Sequence, residues 1–205
     1  MNTDSEIPGL TKGRVEALSD GIFATVMTVL VLGLSVPVIT GAQPDTSTLA
    51  PNILSYVLSY LILTVMWVSH HNVFNYIVRL SRPLTWLNSL FLLTTGFIPF
   101  STTLLGHYPA NQLSVITYGI NIAGVALAMQ ALMGYATKSK LLVAEGPHSQ
   151  FIKMIQRRWR IGTIVYSLAI PLSFVSWEIS VAIYVVASVI FVVSSSLTLK
   201  LPSLT

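Results

Sequence analysis

The sequence contains no cysteine. That absence removes disulfides, thiolate metal centres and cysteine nucleophiles together. Charge is the second scarcity. Only 9% of the 205 residues are Asp, Glu, Lys or Arg, against about 25% in an ordinary soluble domain. A surface with so few charges does not stay in water as a monomer. Catalytic signatures are missing as well: the chain has no HExxH, no GxSxG, no glycine-rich phosphate loop and no carboxylate pair within its apolar segments. An enzyme is therefore not expected. Residues 1–20 carry Asp4, Glu6, Glu16 and Asp20 and are interrupted by Pro8 and Gly9, which does not suit a cleaved secretory signal.

What the chain does have is apolar length. Hydrophobic residues make up 53% and the mean hydropathy is +0.74, so the solvent is lipid. A helix needs roughly 20 residues to cross about 30 Å of hydrocarbon. No residue from 21 to 44 is charged, and His70 and His71 are the only titratable groups of the apolar run that ends at Arg79 apart from Asp45 before it and its tyrosines. The uncharged stretch 83–137 is too long for one helix and is divided by the polar turn His107-Tyr108-Pro109-Ala110-Asn111. Residues 161–199 read as one helix would be on the order of 57 Å long, so they divide at Ser176-Trp177-Glu178, with an indole at the interface. The expectation is an all-α integral membrane protein. Its single domain, residues 1–205, holds six transmembrane helices over about 14–36, 52–79, 84–106, 111–137, 157–177 and 179–199.

The basic residues set the orientation. Lys12 and Arg14 precede span one, and Arg79 and Arg82 join spans two and three. Lys138, Lys140, Lys153, Arg157, Arg158 and Arg160 join spans four and five, and Lys200 follows span six. All 11 fall on one side, which the positive-inside rule makes cytoplasmic, together with both termini. The Lys138–Arg160 linker is a solvated face against anionic lipid, and nucleic acid is not an expected partner.

Polar residues inside a membrane are costly and are functional candidates by default. Asp20 lies roughly 9 Å beyond Arg14 on helix one, His70 and His71 roughly 12 Å before Arg79 on helix two, and Asn88 roughly 7 Å beyond Pro83 on helix three. Topology puts these groups, with Ser19, at similar depth near the inner face. A hydrogen-bonded cluster tying three helices together is the simpler reading, and a proton relay is the other. Adjacent histidines point about 100° apart on a helix and have no cysteine beside them, so no metal, haem or other cofactor is expected.

Helix one has a face of small and weakly polar residues. Gly21, Thr25, Thr28 or Val29, and Leu32 share it at helical spacing. Such a stripe can pack closely against another helix or line a narrow pore, and pattern alone favours packing. No internal duplication of Leu18-Ser19-Asp20 occurs, which disfavours an inverted-repeat transporter. A secondary or proton-coupled carrier using Asp20 and His70 is the competing class. A pore lined by one helix per chain needs a symmetric oligomer.

Arg14-Val-Glu-Ala-Leu18-Ser19-Asp20 resembles the Arg-x-x-x-Phe-Ser-Asp signature that opens helix one of the transmembrane protein 175 family, the endosomal and lysosomal potassium channels and their prokaryotic homologues. Trp67-Val-Ser-His70-His71-Asn-Val-Phe74 is similar to the family's second helix. Trp86-Leu-Asn88, with Pro99, Phe100 and Leu104, is similar to its third. The resemblance implies a potassium-permeable channel that lacks the TVGYG filter. It also implies a prokaryotic single-repeat member that forms a homotetramer in the cell membrane, with monovalent cations as the permeant partners. It places Thr25, Thr28 or Val29, and Leu32 along the pore, and gives Arg14, Ser19, Asp20, His70, His71 and Asn88 the task of fixing helix one. Leu18 stands where the family has Phe, and Thr25 where a bulky aliphatic residue commonly forms the constriction. That second departure moves the expected narrowest point outward to Leu32.

Overall fold

The computed structural model describes residues 10–34, 39–40, 43–44, 49–139 and 148–198. It is helical apart from a two-residue antiparallel ribbon: α1 (Lys12–Leu32), β1 (Ile39–Thr40), β2 (Gln43–Pro44), α2 (Leu49–Tyr76), α3 (Arg82–Gly96), α4 (Ile98–His107), α5 (Gln112–Lys138), α6 (His148–Leu172) and α7 (Trp177–Thr198). Among the described residues, five segments are long and apolar enough to cross a membrane: α1, α2, α3 with α4, α5 and most of α7. The sixth span of the sequence reading, α6, falls outside that group because Lys153, Arg157, Arg158 and Arg160 occupy its first half.

Several boundaries differ from expectation, and three of the differences have local reasons. Helix α2 starts at Leu49 rather than near residue 52. Pro51 therefore sits in its first turn, where a missing N–H breaks no helical bond. Helix α6 begins at His148, nine residues before the expected 157. Its leading turns are amphipathic, with Ile152, Ile155 and Trp159 buried and Lys153, Arg157 and Arg160 exposed, so a continuous helix carries the basic linker residues into the bundle. The third span is not one helix. It breaks between Gly96 and Ile98. Pro99 has no N–H to give the Thr95 carbonyl, and its ring crowds the preceding turn. Asn121 of α5 occupies the break, donating from Nδ2 to the Thr94 carbonyl at 2.9 Å and accepting from Ser101 Oγ at 2.8 Å.

Helix α5 is the centre of the protomer. Val115, Val125, Met129, Leu132, Met133 and Ala136 are fully buried along it, and α3, α4, α6 and α7 all pack on it. Small residues (Gly119, Ala123, Ala126, Ala128) allow that close approach. Helix α2 packs on α4 and α7. Gly106 is needed at the α2–α4 contact because a Cβ there would run into Asn52. Helix α1 lies to one side, against α2, α3 and α4. The fold thus presents α1 on one flank and the α6–α7 hairpin elsewhere on the bundle.

Candidate functional site

Among the described residues, only one side of α1 meets the rest of the protomer. Val15, Ser19, Phe23, Val26 and Leu30 are its buried residues, a stripe at spacings of three and four. Ser19 is fully buried, and Phe23 and Leu30 nearly so.

A directed hydrogen-bond chain holds this stripe. His70 Nε2 lies 2.8 Å from Asn88 Oδ1. With the amide oxygen facing the ring, Nε2 carries the proton and donates. Asn88 Nδ2 donates to Ser19 Oγ at 3.1 Å, and Ser19 Oγ donates to the Val15 carbonyl at 2.8 Å. Helices α2, α3 and α1 are thereby joined in that order. Aromatic rings seal the chain. His70 stacks on Phe91 (centroids 5.5 Å apart, planes 5° apart) and on Phe74 (4.3 Å), with Phe23 6.0 Å from both His70 and Phe91. Each polar atom used in the chain is paired, which matters because an unpaired buried donor or acceptor costs about 1–3 kcal/mol. The chain ends on a backbone carbonyl, which cannot take up and release a proton as a side chain does. Such a chain can anchor α1 on α2 and α3.

The remaining residues expected in the cluster sit elsewhere. Asp20 is exposed, and its Oδ1 accepts from Trp67 Nε1 at 2.8 Å; it makes a second α1–α2 link beside the buried chain. Trp67 as the partner of Asp20 is a contact that charge-based reasoning misses, because the partner is a neutral indole. His71 is exposed, turned about 100° from His70 around the helix, and its ring neighbours Trp67 (centroids 6.1 Å). Arg14 is exposed too. It precedes Ser19 by five residues, which places it about 140° away around α1. Arg14 thus shares the outer stripe with Leu18, Thr25 and Leu32 and does not enter the anchor.

Among the described residues, nothing in the protomer covers the outer stripe. Leu18, Gly21, Thr25, Thr28, Val29 and Leu32 are all exposed, Leu32 at 79%. Thr25 Oγ1 donates to the Gly21 carbonyl and Thr28 Oγ1 to the Thr25 carbonyl, each at 2.8 Å. Such back-bonding is common for threonine in membrane helices. Here it has a chemical consequence. With each hydroxyl proton committed to the backbone, the oxygen keeps its lone pairs for an outside cation or water. From Arg14 at one end, the stripe passes the two hydroxyls and reaches Leu32 roughly 27 Å further on, close to the thickness of the hydrocarbon.

Comparison with known proteins supplies a family context. Residues 14–99 match the family model described as endosomal/lysosomal potassium channel TMEM175. These residues hold both faces of α1 and every group of the buried anchor. A potassium channel of Streptomyces collinus is 34% identical over 177 residues, covering 83% of this chain and 86% of that protein. A potassium channel of Chamaesiphon minutus is 31% identical over 192 residues, covering 90% and 95%. The fold superposes with a TM-score of 0.76 on the crystal structure of a lysosomal potassium-selective channel TMEM175 homologue from Chamaesiphon minutus, at 29% identity over 90% of this chain and 97% of that one.

Proposed function

The chain belongs to the TMEM175 family, and from that premise we propose that it is a potassium-permeable cation channel, a homotetramer whose four α1 helices surround a central path. The observation that carries the reading is the asymmetry of α1. One face is anchored by a satisfied polar chain, and the other, apolar and hydroxyl-bearing, is left exposed by the described residues of the protomer. An exposed stripe of this kind can close on its own copies around a rotation axis, and one pore helix per chain needs such closure.

In this arrangement cations move passively. Four Leu32 side chains narrow the path and gate it by size and dewetting, while the Thr25 and Thr28 oxygens offer partial replacement of hydration water below them. Val29 flanks the same path. Thr25 gives less obstruction than a bulky aliphatic residue would, so the narrowest ring is at Leu32. Both termini and all 11 basic residues lie in the cytoplasm, and the membrane is the plasma membrane of a prokaryote. No bound cofactor takes part, and the protein acts as a channel, not as an enzyme. A carrier cycling through Asp20 and His70 has less support, since Trp67 holds the first and Asn88 the second.

Flux tests the reading. Purified protein in liposomes should pass potassium, with sodium and caesium measured beside it. Flux no greater than that of empty vesicles would sink the proposal.

A further inference from the structure

Helix α4 carries three consecutive hydroxyl residues, and each addresses a different helix. Ser101 Oγ donates to Asn121 Oδ1 of α5 at 2.8 Å, the residue that also bridges the Pro99 break to the Thr94 carbonyl. Thr102 Oγ1 donates to Ser59 Oγ of α2 at 2.8 Å, and the Tyr118 hydroxyl of α5 lies 3.2 Å from the same Ser59 oxygen. Thr103 turns the remaining way, toward α1. Steps of about 100° per residue allow this three-way division. Ser101 and Thr102 are buried, so directed bonds fix α4 to α5 and α2. Thr103 meets Gly33, the residue that follows Leu32. A Cβ on Gly33 would run into Thr103 Oγ1 and lie 3.2 Å from Thr103 Cβ. The backbone does not call for glycine there, since its φ of −76° is one that any residue adopts. Glycine at this position leaves space, and α4 takes the space.

We infer that α4 is a strut that sets the width of the path at Leu32, with Thr103 as the positioning residue. The inference rests on the proposed pore, in which Leu32 forms the narrowest ring. The buried anchor holds α1 at Ser19, roughly 21 Å from Gly33 along the helix. The outer end of α1 therefore needs a second support, and α4 packs on α1. Gly33 lies about 100° from Leu32 around the axis, so one meets α4 while the other stays 79% exposed on the outer stripe. The bundle stands behind α1 and the path in front of it. A wedge between Gly33 and Thr103 moves Leu32 toward the path, because the bonds of Ser101 and Thr102 keep α4 in place. In a symmetric ring the opening changes by twice the inward shift of each helix. Width at Leu32 is thus set by a residue that never touches the ion.

The test has two readouts, both on the full chain in liposomes. Gly33→Cys with Thr103→Cys, treated with copper phenanthroline, should lose both maleimide-reactive thiols to an intramolecular disulfide, read by whole-chain mass spectrometry. The separation of 3.2 Å is close to the ~3.8 Å that a disulfide spans between Cβ atoms. Potassium and caesium fluxes are then compared for the natural chain, Gly33→Ala, Thr103→Ala and the double variant. Gly33→Ala should cut caesium flux several-fold more than potassium flux, since the larger ion meets the narrowed ring first. Thr103→Ala should bring caesium closer to potassium, and the double variant should return the ratio toward that of the natural chain. A contact that served folding alone would lower folded yield and both fluxes together and leave the ratio as it was. Thr103→Ala only removes atoms, so it decides the matter even where Gly33→Ala fails to fold. A conducting natural chain with the same ratio in every variant, or a cysteine pair that stays reduced, would overturn this inference alone. A natural chain that passes no ion would remove the channel reading and this inference with it.

Discussion

The two faces of α1 are built from the same helix and do opposite things. The inner face buries Ser19 and Phe23 and spends its polar groups completely, through Asn88 to His70. The outer face is exposed among the described residues and keeps its threonine oxygens available. The inner face pays in desolvated polar groups for a fixed position, and the proposed path along the outer face depends on that position. A helix held only by apolar contacts in lipid gains little, since lipid tails are as apolar as its neighbours. Hydrogen bonds across helices supply a directional hold. Rotation of α1 by one residue would carry Thr25 about 100° from its present direction and break the Ser19 contact at the same time.

Breaking the inner face should give the largest effect. Asn88→Leu leaves the His70 N–H and the Ser19 oxygen unmet in a buried site, at a cost of about 1–3 kcal/mol. Lower folded yield, a lower unfolding temperature and loss of flux together are expected, measured by thermal unfolding of purified protein and by liposome assay. A variant as stable and as conductive as the natural chain would show that the chain of hydrogen bonds holds nothing. Next in size is Leu32→Ala on the outer face. Stability should stay within about 0.5 kcal/mol, as for exposed positions, while potassium, sodium and caesium fluxes rise and converge. Unchanged selectivity would move the constriction away from Leu32. Thr25→Val, nearly the same shape without the oxygen, should lower flux several-fold at unchanged stability; equal flux would mean that the hydroxyl does not meet the ion. The smallest effect belongs to Trp67→Phe, which keeps the ring and removes the bond to Asp20. A loss of about 0.5–1.5 kcal/mol, seen only by unfolding, is expected there.

The outline of the fold was legible because it depends on run length and charge position, which a sequence displays directly. The outer stripe was visible as a helical period, yet the pattern alone favoured packing against another helix, and only the resemblance suggested a pore. Two things were hidden. The break in the third span shows its cause in Pro99, yet its repair depends on Asn121, which lies 22 positions downstream on α5 and meets it only in three dimensions. Grouping by depth also misled. Ser19, Asp20, His70, His71 and Asn88 all fall near one level, but depth says nothing about azimuth. Helical rotation separates Arg14 from Ser19 and His71 from His70, leaving Ser19, Asn88 and His70 as the buried chain. Trp67 escaped notice as a hydrogen-bond donor because an acid suggests a basic partner first.

The natural absence of cysteine makes the central claim directly measurable. Single substitutions Leu18→Cys, Thr25→Cys, Thr28→Cys and Leu32→Cys on the outer stripe, with Val26→Cys and Leu30→Cys on the inner, can be exposed to silver ion, a small thiol-reactive cation, while potassium flux is followed in liposomes. The account predicts rapid block at the outer positions and none at the inner ones. Equal block on both faces, or block at the inner positions alone, would contradict a water-filled path along the outer face of α1.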